Sequence, residues 1–469
     1  MSDQLLNKYD DFIETYEKLF HLNSNDSVEE ILNLISSVLI KKYKAVIITV
    51  VYNLFMAARC NYQFIELYIK ILNQFLSKYR LPNSYVIELA NSVKMTYSNN
   101  PNGGLQVDFD RKSFPKEGEI LYIIMNDQID KFKEYVSHES IESFSANISV
   151  YQMHSPIEAC CYFGSVNIFF FLLTNLNVAM TPKCLLYSIF GRNTDIINEC
   201  MKNIKMNKYA LESTIASHNY EFLEYLFKRD LIDIKNIDTT VLSRHQNLKA
   251  LLLLYENDKN SIIPCIVSFP QALDFLQDKS LDLTRRAPDG KNVLICASYW
   301  NNFDIRKYLL DNSTMKINSK DKDHRSALHY AVKNNNKNLV ELLFNHGAKV
   351  DNFSDHKHPL HFAAKLQRNE MIPILLKHGA DINKGYGVMQ RTALHIAAKR
   401  GYLQTLEVLI KNHADINVKD FSHETPLHYA TKYNKKKQLN FLFHMVPLSM
   451  QKQVTIQLHL FILQHKKTL

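Results

Sequence analysis

The chain has 469 residues, of which 46% are hydrophobic and only 11 are Gly and 12 Pro; this excludes a largely disordered protein and leaves little material for flexible linkers. Its formal charge of +9, from 56 Lys+Arg against 47 Asp+Glu, is a mild bias at this length and makes nucleic acid an unlikely partner. One compact core does not accommodate so long a chain, but an array that grows by adding units does.

The start, Met1-Ser2-Asp3-Gln4, has no basic segment ahead of an apolar one, so no secretory signal is expected. The most apolar early stretch, Val46 to Ala58, contains Tyr52 and Asn53 and is well short of the roughly 20 residues that cross a bilayer. Seven cysteines, Cys60, Cys160, Cys161, Cys184, Cys200, Cys265 and Cys296, are odd in number and lack C-x-x-C spacing. They read as reduced thiols inside helices of a cytoplasmic protein, with the nucleus as the alternative compartment. Apolar residues at helical spacing (Leu5, Phe12, Tyr16, Leu19; Ile31, Leu34, Ile35, Val38; Phe64, Leu67, Tyr68, Ile71) predict a small α-helical N-terminal domain over 1–105. It ends in the loop signal Ser98-Asn99-Asn100-Pro101-Asn102-Gly103-Gly104. Such a domain would cap the helices after it or recruit a partner of its own.

From 117 to 287 the pattern is one of short helix pairs. Gly118-Glu119-Ile120-Leu121 to Phe132 opens the series; Ser155-Pro156-Ile157-Glu158-Ala159 with Gly164, Leu185 to Phe190 with Gly191, and Leu211 to Ile215 with Phe222 to Leu226 continue it. The last two are about 27 residues apart, a spacing that leaves room for two short helices and tight loops only. An unrelated α-helical domain would also account for this stretch.

Between 288 and 443 a motif repeats. Ser326-Ala327-Leu328-His329 returns as His358-Pro359-Leu360-His361, Thr392-Ala393-Leu394-His395 and Thr425-Pro426-Leu427-His428, at intervals of 32 to 34 residues. Each tetrad opens a helix that carries small inward residues (Ala331, Ala363, Ala364, Ala397, Ala398, Ala430), and a Leu-rich second helix follows. The second helices end in His346-Gly347-Ala348 and His378-Gly379-Ala380, and once, without glycine, in His413-Ala414. Glycine suits that place because the chain must turn left-handed there. Asp289-Gly290-Lys291-Asn292-Val293-Leu294-Ile295-Cys296-Ala297 is a degraded fifth copy.

A period near 33 with a T-P-L-H-x-A core resembles the ankyrin-repeat family. The resemblance implies an all-α solenoid of helix-turn-helix units with β-turn fingers, preceded by the small N-terminal helical domain, and it casts 117–287 as degenerate ankyrin-like repeats. An α-helical head, a degenerate middle and a regular end are also the arrangement of the large ankyrin families of AT-rich protist genomes. It further implies a non-enzymatic scaffold that binds another protein through its fingers and the concave face of its first helices, because such solenoids present surfaces, not active sites.

Within that frame His329, His361, His395 and His428 read as structural, hydrogen-bonding backbone groups of their own and adjacent units, as Gly347 and Gly379 are structural. One histidine per repeat puts neighbours roughly 10 Å apart, whereas zinc needs its ligands near 2 Å from one centre. No phosphate-binding loop or catalytic signature occurs in the chain, so no cofactor, metal, small-molecule substrate or catalytic residue is expected. The candidate partner-binding residues are positional. Lys333, Lys365, Lys399 and Lys432 recur seven residues after each tetrad begins, with Tyr299 in the degraded copy and Arg400 and Tyr433 extending the row. Tyr330, Phe362, Ile396 and Tyr429 follow each histidine directly, an apolar row of the kind that anchors interfaces. The fingers add Arg325, Lys357 and Arg391. Together they favour a partner segment that is acidic and partly apolar. A lysine at these positions also arises simply from a solvated helix face. Binding of nucleic acid or an anionic surface, and recruitment of substrates to a ligase or kinase, are the alternative functions.

After Phe443 the pattern stops in mid-unit, and 444–469 form an atypical tail that includes the apolar run Val454 to Leu463. The codons of His444-Met445-Val446-Pro447, read one frame over, permit His/Tyr-Gly-Ala at the register where a repeat turn belongs. The tail is thus read as the product of a change of frame, with a divergent C-terminal cap as the alternative.

Overall fold

The computed structural model describes residues 2–79, 81–99, 105–112, 114–141, 144–148, 151–232, 237–278, 280–300, 302–312, 315–350 and 358–445. Lys357 and the tail from 446 lie outside these residues. The chain divides into two compact units, Met1–Leu281 and Asp282–Leu469.

The first unit begins with helices Ser2–Lys8, Asp10–Phe20 and Val28–Leu34, the last running on as a π-helix over Ile35–Lys42, then Ile47–Cys60, Ile65–Lys78 and Asn83–Ser92. Strands Thr96–Asn99 and Leu105–Asp108 follow, antiparallel with Thr96 opposite Asp108. The Pro/Gly-rich boundary signal therefore falls between two paired strands. Asn73 holds them to the helix before: its Nδ2 donates to the Val107 carbonyl and its Oδ1 accepts the Val107 N–H, both at 2.8 Å.

Helix pairs come next: Ile120–Met125 with Ile129–His138, Pro156–Phe163 with Val166–Thr174, Lys183–Gly191 with Thr194–Asn203, Lys208–Ala216 with Tyr220–Lys228, and Thr239–His245 with Leu248–Asn257. Each first helix packs on the first helix of the next pair. One left-handed residue joins the two helices of each pair: Asp127, Gly164, Arg192, His218 and Gln246. In the middle of the series these hinges stand 26 to 28 residues apart. Two of the residues directly after a hinge serve both their own pair and the one before. Asn219 and Asn247 accept the Phe222 and Ala250 N–H groups through Oδ1, capping the second helix, and donate through Nδ2 to the Ile189 and Ile215 carbonyls of the preceding pair. Where the pairs meet at Gly164 and Gly191, a Cβ on Gly191 would lie 2.1 Å from the Cys161 carbonyl oxygen, so only glycine fits.

The N-terminal helices pack within this same unit. Ser2–Lys8 rests on Leu248–Asn257, and Ile47–Cys60 on Thr239–His245. Arg59 donates through Nε to the Tyr151 hydroxyl at 3.0 Å, and its carbonyl accepts the Tyr162 hydroxyl at 2.6 Å.

The second unit stacks five pairs: Val293–Trp300 with Phe303–Asn312, Ala327–Lys333 with Lys337–Asn345, Pro359–Lys365 with Met371–Lys377, Ala393–Arg400 with Leu403–Lys411, and Pro426–Lys432 with Lys436–Met445. Ala331, Ala363, Ala364, Ala397, Ala398 and Ala430 have no exposed surface, which lets the first helices pack successively against one another. Gly347 and Gly379 end second helices at φ 86° and 90°. His413 adopts the same left-handed conformation at φ 66°, which explains why an ending without glycine still turns. Outside the helices, Asn318 Oδ1 accepts the Lys349 N–H at 2.8 Å and Asn383 Oδ1 the Asp415 N–H at 2.9 Å, so the Asn that closes one repeat ties down the next.

Candidate partner-binding surface

The repeat histidines set the geometry of the surface. His329, His361 and His395 are buried. In Ser326, Thr392 and Thr425 the hydroxyl and backbone N–H both lie 2.8–3.2 Å from Nδ1 of the histidine three residues on. An Nδ1 that accepts leaves the ring proton on Nε2. His395 uses it on the Glu424 carbonyl at 3.0 Å, and His361 on the Lys384 carbonyl at 2.8 Å. The ring of His395 therefore caps its own helix and holds a neighbouring turn. Burial lowers the pKa of His395 and of His428, in keeping with neutral imidazoles.

Two of the fingers are closed at the base by an aspartate. Asp420 Oδ1 accepts the N–H groups of Ser422 and Glu424 at 2.9 Å, and Asp321 Oδ1 that of Arg325 at 2.8 Å. The second carboxylate oxygen accepts a tyrosine hydroxyl, Tyr429 at 2.8 Å and Tyr330 at 2.5 Å. This corrects the anchoring row expected from the sequence: Tyr330, Phe362, Ile396 and Tyr429 are buried, at 2%, 7%, 9% and 1% exposure. The two tyrosines hold their fingers to the first helices instead of facing a partner. Burial and the Asp hydrogen bond push both tyrosine pKa values up.

The lysine row is present but uneven. Lys333 is exposed and Lys365 and Lys399 are half-buried. Lys333 Nζ lies 5.1 Å from the Tyr299 ring centroid, and Lys399 Nζ 4.9 Å from that of Tyr433. Tyr299 and Tyr433 are exposed aromatics, at 38% and 39%, each in cation–π range of a lysine. Lys291, ion-paired with Asp289, approaches Tyr299 to 5.0 Å. Lys432 differs: its ammonium pairs with Glu424 of its own finger at 3.0 Å, which removes one of the four expected free charges. Arg400 is exposed. Of the finger cations, Arg325 pairs with Asp323 at 3.1 Å and stacks 5.7 Å from the Phe362 ring. Arg391 donates through Nε to the Tyr429 hydroxyl at 2.6 Å; both are partly committed to structure.

Two finger residues stand outside the positions that the repeat pattern singles out. Val388 and Phe421 are 88% and 71% exposed, and the Phe421 N–H donates to the Met389 carbonyl at 2.9 Å, placing the two tips together. Each stands two residues before a left-handed finger residue, Gln390 or His423; aligning the fingers as well as the tetrads reveals them. Among the described residues, no group of three or more His, Cys, Asp or Glu is placed to hold a metal ion, and no helix is long and apolar enough to cross a membrane.

Comparison with known families adds two findings. The model for ankyrin repeats (3 copies) matches residues 243–354, 313–386 and 384–452. A domain of unknown function (DUF3447) matches residues 176–254. A search of curated proteins finds no match.

Proposed function

This is an ankyrin-repeat protein, with the repeats over residues 243–452, and from that premise we propose that it is a non-enzymatic scaffold or adaptor whose regular repeats hold one acidic, partly apolar segment of another protein. Ankyrin repeats generally serve as protein-interaction modules. The observation that carries the finer reading is the pairing of accessible cations with accessible rings in the second unit, Lys333 with Tyr299 and Lys399 with Tyr433. An extended acidic segment would place its carboxylates on these ammonium groups while its apolar side chains lie on the two rings. Val388 and Phe421 would add apolar contact at the finger tips.

Nucleic acid is a poorer fit. A phosphate backbone needs a run of uncompensated cations, and Lys432, Arg325 and Lys291 each pair with a neighbouring carboxylate. Seven buried free cysteines suit a reducing compartment such as the cytoplasm.

Affinity capture on the full chain, followed by binding of the captured partner to a Lys365→Glu, Lys399→Glu variant, tests the proposal. A loss of roughly tenfold or more at low salt is expected for two rim charges. Unchanged affinity, or a captured ligand that is nucleic acid with steep salt dependence, would overturn it.

A further inference from the structure

The first unit holds a cavity of about 520 Å³ within the 176–254 region, closed on one side by helix Asp10–Phe20, with Arg192, Lys249, His21, Glu17, Tyr220 and Tyr225 in its lining. Its volume is in the range of small-ligand sites, roughly 300 to 1,000 Å³. Arg192 is a hinge residue at φ 57°. Its guanidinium donates to the Ser217 carbonyl at 2.6 Å and to His21 Nδ1 at 3.3 Å, and it forms no ion pair with a carboxylate among the described residues. Three of its five N–H bonds are left over. Because His21 Nδ1 accepts, the ring proton lies on Nε2, which is buried with no hydrogen-bond partner among the described residues. Glu17 acts on Arg192 through space without a direct ion pair, so the guanidinium keeps unmet donors that an anion in the cavity would accept from.

We propose that this cavity binds a monoanionic carboxylate carried on an apolar or aromatic body. This rests on different residues from the partner surface of the repeats and stands without it. Lys249 already pairs with Glu224 at 3.6 Å, and Glu17 and Glu221 line the same space, so a dianionic phosphate meets repulsion. The helix starts nearby already give some of their N–H groups to Asn193, Asn219 and Asn247, which leaves fewer donors for a phosphate. A planar carboxylate matches the planar fork of Arg192. The group fills only part of the volume; its body lies against Ile197 and the Phe222 and Tyr225 rings, which stack at 6.2 Å. Tyr225 is 37% exposed and forms the mouth.

Two sources present this chemistry, a free carboxylic acid and the C-terminal residue of a peptide. Calorimetric titration of the full chain distinguishes them with three probes: 3-phenylpropionate, a pentapeptide ending in Phe, and the same peptide as its C-terminal amide, with inorganic phosphate as control. Saturable binding of either acid and none of the amide is the expected result. Tighter phenylpropionate points to a small acid, and a tighter peptide to a chain terminus. Arg192→Lys keeps the charge and loses the fork, so affinity should fall tenfold or more; Tyr225→Ala, which leaves the Ser217 tie in place, should weaken binding several-fold in protein that circular dichroism shows to be folded. The assignment is overturned if neither acid saturates at millimolar concentration. It is equally overturned if amide or phosphate binds as well as the acids, or if Tyr225→Ala and a folded Arg192→Lys both bind as wild type does.

Discussion

Acidification should loosen the first unit through His218. This hinge residue sits at φ 52° with no exposed surface, its ring stacked 4.5 Å from Phe20 and 5.5 Å from Tyr16 of the N-terminal helix. Nε2 donates to the His245 carbonyl at 3.0 Å, and Nδ1 lies 3.3 Å from the Tyr220 hydroxyl. Burial pushes its pKa down to about 3; the His245 carbonyl opposes this, and the Arg192 charge adds to it. In the unfolded chain an imidazole titrates near 6.5. Above that pH both states are neutral and stability does not depend on this group. Below it the unfolded chain takes up a proton that the folded one refuses, so stability falls by about 1.4 kcal/mol per pH unit until the folded pKa is reached. From pH 6.5 to 4.5 the loss through His218 alone is about 2 kcal/mol, because half of the unfolded imidazole is already protonated at the upper end. Burial also lowers the pKa of His21 and His245, so they add to the slope. His218→Gln removes the titration and retains a donor for the His245 carbonyl. Urea unfolding followed by circular dichroism at the two pH values measures the difference. The fluorescence of the single tryptophan, Trp300, reports the second unit separately. Equal acid sensitivity in wild type and variant, or stabilisation on acidification, would refute the reasoning.

His413→Gly should stabilise the second unit by about 1 kcal/mol, because an exposed L-residue in the left-handed region is strained where Gly347 and Gly379 are not; a midpoint raised by a few degrees confirms it, and a lowered one counts against it. Tyr429→Phe removes the hydroxyl between Arg391 and Asp420 and should cost about 1–2 kcal/mol. It should not alter partner affinity at temperatures where the variant is folded; a large affinity loss there would restore the row after the histidines as a contact surface. The cysteines are all buried, and burial pushes the Cys60 and Cys296 thiols up to about 12. Native protein at pH 8 should thus resist a thiol-labelling disulfide reagent for far longer than urea-unfolded protein, which exposes seven thiols; rapid labelling of the native chain would contradict that burial.

The fold was legible where one backbone demand recurs with one residue solution. Leu-His at the helix start, Ala where first helices touch and Gly at the turn are each dictated locally, so counting along the chain recovers the solenoid. Partner-facing positions were harder, because period alone does not say which way a side chain points. The position after each histidine is apolar or aromatic in all four copies, and that regularity marks a shared structural role, in which Tyr330 and Tyr429 reach the finger aspartates. Residues that vary among copies, such as Val388 and Phe421, carry the exposure. Lys432 shows a second limit. It shares its register with Lys333 and Lys399, yet Glu424 on its own finger pairs with it, a contact between residues eight apart that helical periodicity does not reveal.

The cavity of the first unit was least legible because it depends on a position that normally has no chemistry. In the regular repeats the hinge is Asn335, Gln367, Gly401 or Asn434, residues that carry no charge. In the middle pairs two consecutive hinges are Arg192 and His218, both with side chains that can carry charge. Shortening the repeat to 26–28 residues leaves no room for a long finger between pairs, and the N-terminal helix Asp10–Phe20 lies over the hinges. Side chains that would otherwise face water are enclosed: His218 fills the contact with Tyr16 and Phe20, while Arg192 lines the cavity. The same scaffold position thus serves as a plain turn in one unit and as the wall of a cavity in the other, and the difference arises from the helix packed on top of it.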